Sequence, residues 1–188
     1  MGFRISYLAT TAAPDAVASA FGIEFERKDR EAPERRDWIG VLKSSGWTLF
    51  WSENEEFFAG NPKAVATLSN NAPVYVCRVN ETVMYCSSEF WRSGDLDWKV
   101  EHDADQDLEH LEVRGTPPGF KAERDARLAE LRADPDPCDY IFEVPLNLAA
   151  QVIKFRHEDA LGQDEVDEFR VIQKPSLPSF LGRLFGRR

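Results

Sequence analysis

Between Val74 and Val113 the chain repeats one pattern four times: a short run rich in β-branched and aromatic residues, then a polar turn. Val74–Val79, Thr82–Ser87, Leu96–His102 and Leu108–Val113 each read as a strand. The gaps between them are too short for a crossover helix, so consecutive strands must pair antiparallel, as a meander. Everything else in the chain has to be arranged around that sheet.

Upstream, Trp38–Lys43 and Trp47–Ser52 form a hairpin over Ser44-Ser45-Gly46, with Gly46 free to take a left-handed conformation. A three-residue loop puts Ile39 and Val41 on one face with Leu49 and Trp51, and Trp38, Leu42 and Phe50 on the other. Apolar residues on both faces imply a strand pair covered on both sides. Phe3–Ala9 is a further strand-like run. Pro14 and Asp15 open a helix near 14–21 that Gly22 closes. Asn61, as cap, and Pro62 start a short helix with Val65 and Leu68 inward. Thr116-Pro-Pro-Gly119 introduces a helix over about 120–132, with Phe120, Leu128 and Leu131 toward the sheet and Glu123 and Arg127 paired at i,i+4 spacing. Pro145 opens another, through about His157, that is apolar nearly all round and therefore buried. Tyr140–Val144 and Phe169–Gln173 read as short strands, and Glu24–Arg36 as an exposed connection. The expected fold is α+β: a largely antiparallel sheet (meander plus hairpin) packed with three or four helices. Val41, Leu49, Val76, Val83, Phe142, Leu148, Val152 and Ile153 are expected in its core.

A chain of 188 residues with 43% hydrophobic residues supports one domain, residues 1–173. Folding of such a domain buries roughly 70% of its unfolded surface. Residues 174–188 stand apart. Lys174, Arg183, Arg187 and Arg188 make this stretch +4 with no acid, so the net −10 of the chain divides into −14 upstream and +4 here. Phe180, Leu184 and Phe185 lie at helical spacing beside Arg183. That is a basic amphipathic tail suited to a partner's apolar groove, to weak contact with an anionic membrane surface, or to packing on its own acidic body.

The −14 body argues against nucleic acid, whose binding rests on Lys and Arg neutralising phosphates, and favours a basic protein partner. No run of 18 apolar residues exists to span a membrane. Met1-Gly-Phe-Arg-Ile-Ser6 fits a myristoylation pattern, and the apolar residues up to Ala20 a signal peptide. Pro14 and Asp15 interrupt the latter, and a first strand explains both. Cys77, Cys86 and Cys138 contain no C-x-x-C spacing. A two-residue loop at Asn80-Glu81 places Cys77 opposite Met84 and Cys86 opposite Tyr75. The first two thiols are then diagonal on one face, roughly 7–8 Å apart, long for a disulfide. Reduced thiols and a cytoplasmic location follow.

Two constellations could carry chemistry. His102, Asp103, Asp105 and His110 gather oxygen and imidazole donors around one turn. Two histidines with carboxylates can hold a transition metal. As a calcium loop the stretch fails, because Leu108 stands where glycine and Arg114 where the bidentate glutamate is needed. The plainer account is a solvated acidic turn. The tryptophans Trp47, Trp51, Trp91 and Trp98, with Trp38, could line a groove for a small molecule, Trp91 and Trp98 meeting at a hairpin end. Core or cross-strand packing is the plainer account of them, because aromatic residues at strand spacing mostly fill cores. His157 near a helix C-terminus is favoured by the helix dipole alone. No nucleophile elbow, P-loop or dinucleotide fingerprint occurs, and no cofactor is indicated.

Asp97-Trp-Lys-Val-Glu-His-Asp103 through Leu111-Glu-Val-Arg-Gly115, and Asp139-Tyr-Ile-Phe-Glu-Val-Pro145 through Phe155-Arg-His157, resemble segments of a family of uncharacterised bacterial proteins of similar length. The resemblance implies a bacterial, cytosolic, single-domain protein and no particular activity. The residues themselves favour a non-catalytic acidic interaction protein, comparable to the immunity proteins that neutralise basic toxins. The alternatives are a metal-dependent hydrolase on the His102/Asp103/Asp105/His110 cluster and a small-molecule binder with a tryptophan-lined groove.

Overall fold

The computed structural model describes residues 2–135 and 138–173. Among these, nine strands form one sheet in the order β2-β9-β3-β4-β1-β5-β6-β7-β8. Every pairing in it is antiparallel. The central strand is β1, Arg4–Thr10, held between β4, Thr48–Ser52, and β5, Val74–Asn80. The meander continues through β6, Tyr85–Arg92, and β7, Asp95–Asp103, to the edge strand β8, Glu112–Gly115. On the other side β4 pairs with β3, Trp38–Val41. Beyond it, β9, Phe169–Ile172, lies between β3 and the second edge strand β2, Phe25–Asp29.

Each face of the sheet is covered where its residues are apolar. On one face Leu8, Ile39, Phe50, Val74 and Val76 pack with Val17 of α1, Pro14–Phe21, and with Val65 and Leu68 of α2, Pro62–Ser69. On the other, Tyr7, Leu49, Trp51, Cys77 and Val100 meet Leu146, Leu148, Ala149 and Ile153 of α4, Glu143–Ile153. Gly22 closes α1 in a left-handed conformation (φ 62°), as its position predicts. Gly46 is left-handed too, in the β3–β4 loop.

Several expectations need correction. The β3–β4 loop holds four residues rather than three, since Leu42 donates to Trp47 O and Gly46 to Leu42 O. Trp38 is therefore opposite Trp51, and Ile39 opposite Phe50, so the facing is the reverse of the expected one. An odd slip exchanges the two faces. The β5–β6 turn also lengthens, to residues 81–84, with Asn80 opposite Tyr85. That shift is even, so Cys77 and Cys86 stay on one face, Cys86 now opposite Val79. Both are free and buried, and Cys138 is free and exposed.

Val83 falls in the longer turn and is 44% exposed; Val152 points outward from α4 and is also 44% exposed. Val41 is only half-buried. Tyr140–Val144 is no strand: Asp139 Oδ1 accepts the Phe142 amide at 3.1 Å and sets up the first turn of α4. That helix ends at Ile153, where Lys154 turns left-handed. Asn61 holds the N-cap position of α2 but makes no side-chain cap bond; its side-chain amide donates to Phe57 O instead. Helix α3, Phe120–Ala133, buries no residue fully and packs chiefly on α4, with Phe120 against the core cluster. Its Glu123–Arg127 pair forms at 3.2 Å. The connection over 24–36 contains β2, whose charged run hides an edge strand. The tail residues Phe180, Arg183, Leu184 and Phe185 lie outside the described residues.

Candidate functional site

The histidine–aspartate turn does not assemble as a metal site. His102, on β7, is completely enclosed, and both its ring nitrogens are engaged. Nδ1 meets His110 O at 2.7 Å and Nε2 meets Asp139 Oδ2 at 2.8 Å. His110 Nδ1 accepts the Asp103 amide, and Asp103 Oδ1 accepts the Asp105 amide. The cluster is a latch: it fastens the 103–110 turn and the segment before α4 to the end of β7. Burial alone would lower the His102 pKa, but hydrogen bonds to Asp139 and His110 O outweigh it and raise the value.

The tryptophans also separate. Trp98 is buried, with Phe90 at 6.1 Å and Tyr75 at 6.0 Å between ring centroids. Trp47 packs edge-on against the same Tyr75 at 5.6 Å. Trp91 belongs to the opposite face, because it follows Phe90, the partner of Trp98, and successive residues of a strand alternate faces. Trp91 and Trp98 thus do not share a groove.

Trp51 and Trp38 do. The register Trp38–Trp51–Tyr7 across β3, β4 and β1 builds a row of near-parallel rings, with centroid spacings of 6.1 and 6.4 Å. At the end of the sheet where β1 and β3 begin, the rings open into a cleft of about 360 Å³. Phe3, Trp38, Trp51 and Phe155 form its aromatic wall. The 32–35 loop before β3 and the 157–161 segment after α4 close its sides. Glu34, Glu53, Glu158 and Asp159 supply carboxylates, and Arg35 is the single Lys or Arg among the described lining residues.

Backbone and hydrogen bonds hold this end of the molecule in shape. Arg35 adopts φ 51°, a left-handed conformation rare for a residue with a side chain. Glu53 accepts the Trp51 indole N–H at 2.8 Å. Asp159 accepts the Arg156 amide at 2.7 Å. Arg156 itself ties the segment to α4 through Glu143 and Asn147. His157 is buried against Phe3, with ring centroids 5.1 Å apart. Its Nε2 lies 3.0 Å from Glu81 Oε1, while Nδ1 is buried without a partner.

Comparison with protein-family models, with curated proteins and with solved structures returns no match. What the cleft can do therefore follows from its own chemistry. Its aromatic wall can cover an apolar stem, and its carboxylates can take a positive head. Sequence reasoning found Trp51 and dismissed His157 as a helix-end residue. Trp38 was among the groove tryptophans expected from the sequence, whereas Phe3, Glu34, Glu53 and Glu81 come from separate segments with no common motif.

Proposed function

We propose that this protein is a non-catalytic binding protein that recognises a basic protein partner, receiving a lysine or arginine side chain in the cleft. The observation that carries the proposal is the pairing, in one open site, of the Phe3/Trp38/Trp51/Phe155 wall with four carboxylates against one arginine. Lysine and arginine bury their methylene stems along apolar surface while the charged end seeks a counter-ion. A guanidinium gains most, because its fork accepts bidentate pairing with a carboxylate.

The net charge of −10 supports the same reading, since it would steer a basic partner toward the molecule before contact. Neutralisation of a basic toxin by an immunity protein is one form such a role takes. A cytoplasmic setting suits the two buried thiols. Burial pushes Cys77 up to about 12 and raises Cys86 as well, so neither is a ready nucleophile.

The test is a pull-down with the full chain from its own cytosol, eluted by increasing ionic strength, followed by titration of the recovered partner against tryptophan fluorescence. Glu34→Lys, an exposed substitution at the cleft, is expected to weaken binding at least tenfold at low salt. Wild-type affinity should fall steeply as salt rises. Affinity that is insensitive both to salt and to Glu34→Lys removes the proposal, as does failure to recover a basic partner at low salt.

A further inference from the structure

We infer that His157, Glu81 and Glu158 form a binding site for a divalent transition-metal ion of the Zn²⁺ class at the wall of the cleft. The inference is independent of the basic partner, because the ion alone is the ligand. One donor atom from each of the three residues lies within 4.8 Å of the other two. They come from distant parts of the chain: Glu81 from the β5–β6 turn, His157 and Glu158 from the segment past α4.

Two of the three are held in place before any ion arrives. Glu81 accepts the Phe3 amide through Oε2 at 2.7 Å, and its own amide donates to Phe3 O at 2.9 Å. Its other oxygen faces His157 Nε2 at 3.0 Å. The His157 side chain is fully enclosed, yet Nδ1 meets no partner. With the ring proton on Nδ1, the Nε2 lone pair faces the Glu81 carboxylate, and a cation between the two satisfies both.

The donor set selects the ion. One imidazole and two carboxylates suit Zn²⁺, with Mn²⁺ or Fe²⁺ as close competitors. Ca²⁺ requires six to eight oxygens and finds too few. Bonds of about 2.1 Å in tetrahedral geometry place donors roughly 3.4 Å apart, so donors within 4.8 Å of one another must close by about 1.4 Å at most. Glu158 can make that movement, its side chain being 55% exposed and restrained by a 3.3 Å contact with Arg156. Arg156 keeps Glu143 and Asn147 when that contact is released. Three protein donors leave a fourth position, and because His157 and Glu158 line the cleft, water or a cleft ligand can fill it.

The test uses the full chain stripped with chelator, dialysed, and titrated calorimetrically with Zn²⁺. One equivalent should bind, and the His157 ring-nitrogen resonances should shift while those of His102, enclosed in its own hydrogen bonds, stay fixed. Glu158→Gln, at an exposed side chain, should weaken the affinity at least tenfold, and Glu81→Gln likewise. His110→Ala should leave it unchanged. Absence of saturable binding overturns the inference. So does an affinity in Glu158→Gln within twofold of wild type, or a loss that follows His110→Ala instead.

Discussion

His102 joins three segments through two hydrogen bonds, and its protonation decides how well they hold. Its pKa in the fold lies above the ordinary histidine value of about 6.5, so the folded state favours the imidazolium beside Asp139. The stabilisation is present in full below the unfolded value and is lost as pH rises through the raised folded one. Urea midpoints measured across that window should fall with increasing pH. His102→Gln should flatten the component of the slope that this residue supplies; an unaltered slope would assign the pH dependence to other groups. Gly115 is a second position where one atom matters. It sits at φ 74°, and a Cβ there would lie 2.2 Å from Asp97 O on the paired strand. Gly115→Ala should cost about 2 kcal/mol or more, because strain and a backbone clash add. Gly22, at φ 62° with open space around it, is the control: Gly22→Ala should cost only about 1 kcal/mol of left-handed strain. Denaturant midpoints of the two variants compare these costs directly.

The helices differ in what they contribute. Six residues of α4 are buried between α3 and the sheet, whereas α3 has none. Leu148→Ala should therefore cost about 2–5 kcal/mol, and Leu128→Ala on the half-buried face of α3 distinctly less. Val152→Ala, at an exposed position of α4, should change stability by less than about 0.5 kcal/mol. Equal losses at 128 and 148 would mean that α3 is integral to the core. Four helix positions, both hairpins and most of the meander were legible because periodicity and turn residues act locally. Register was less so, since Ser44-Ser45-Gly46 cannot reveal that Lys43 also belongs to the loop. The β3–β4 slip was odd and reversed Trp38 and Ile39; the β5–β6 slip was even and left the cysteines on the expected face. Strand β2, Phe-Glu-Arg-Lys-Asp, carries almost no apolar signal, because an edge strand can leave most of its side chains in water. The cleft was the least legible part. Phe3, Glu34, Trp51 and His157 belong to four separate stretches, and only the sheet order brings them to one end.

Among the described residues the sheet stays open, with β2 and β8 unpaired on their outer sides. Glu26, Arg27 and Lys28 occupy the outer strand, and charged side chains there discourage edge-to-edge association between copies. Replacing Glu26 and Lys28 by valine should raise light scattering at equal protein concentration while the urea midpoint stays nearly constant, since their ion pairs are largely exposed. Unchanged scattering would show that the edge is guarded by something other than charge. The position of β9 has a consequence for how the molecule is made. Phe169–Ile172 fills the gap between β2 and β3, and Phe169 sits edge-on to Trp38, with ring centroids 4.9 Å apart. More than half the chain is synthesised after Trp38 before its neighbour exists. At typical translation rates the first hairpin waits on the order of ten seconds with one strand edge and an indole uncovered. A ribosome stalled ahead of Phe169 would thus hold a sheet with a missing stave, a species for chaperones to shelter and for proteases to find.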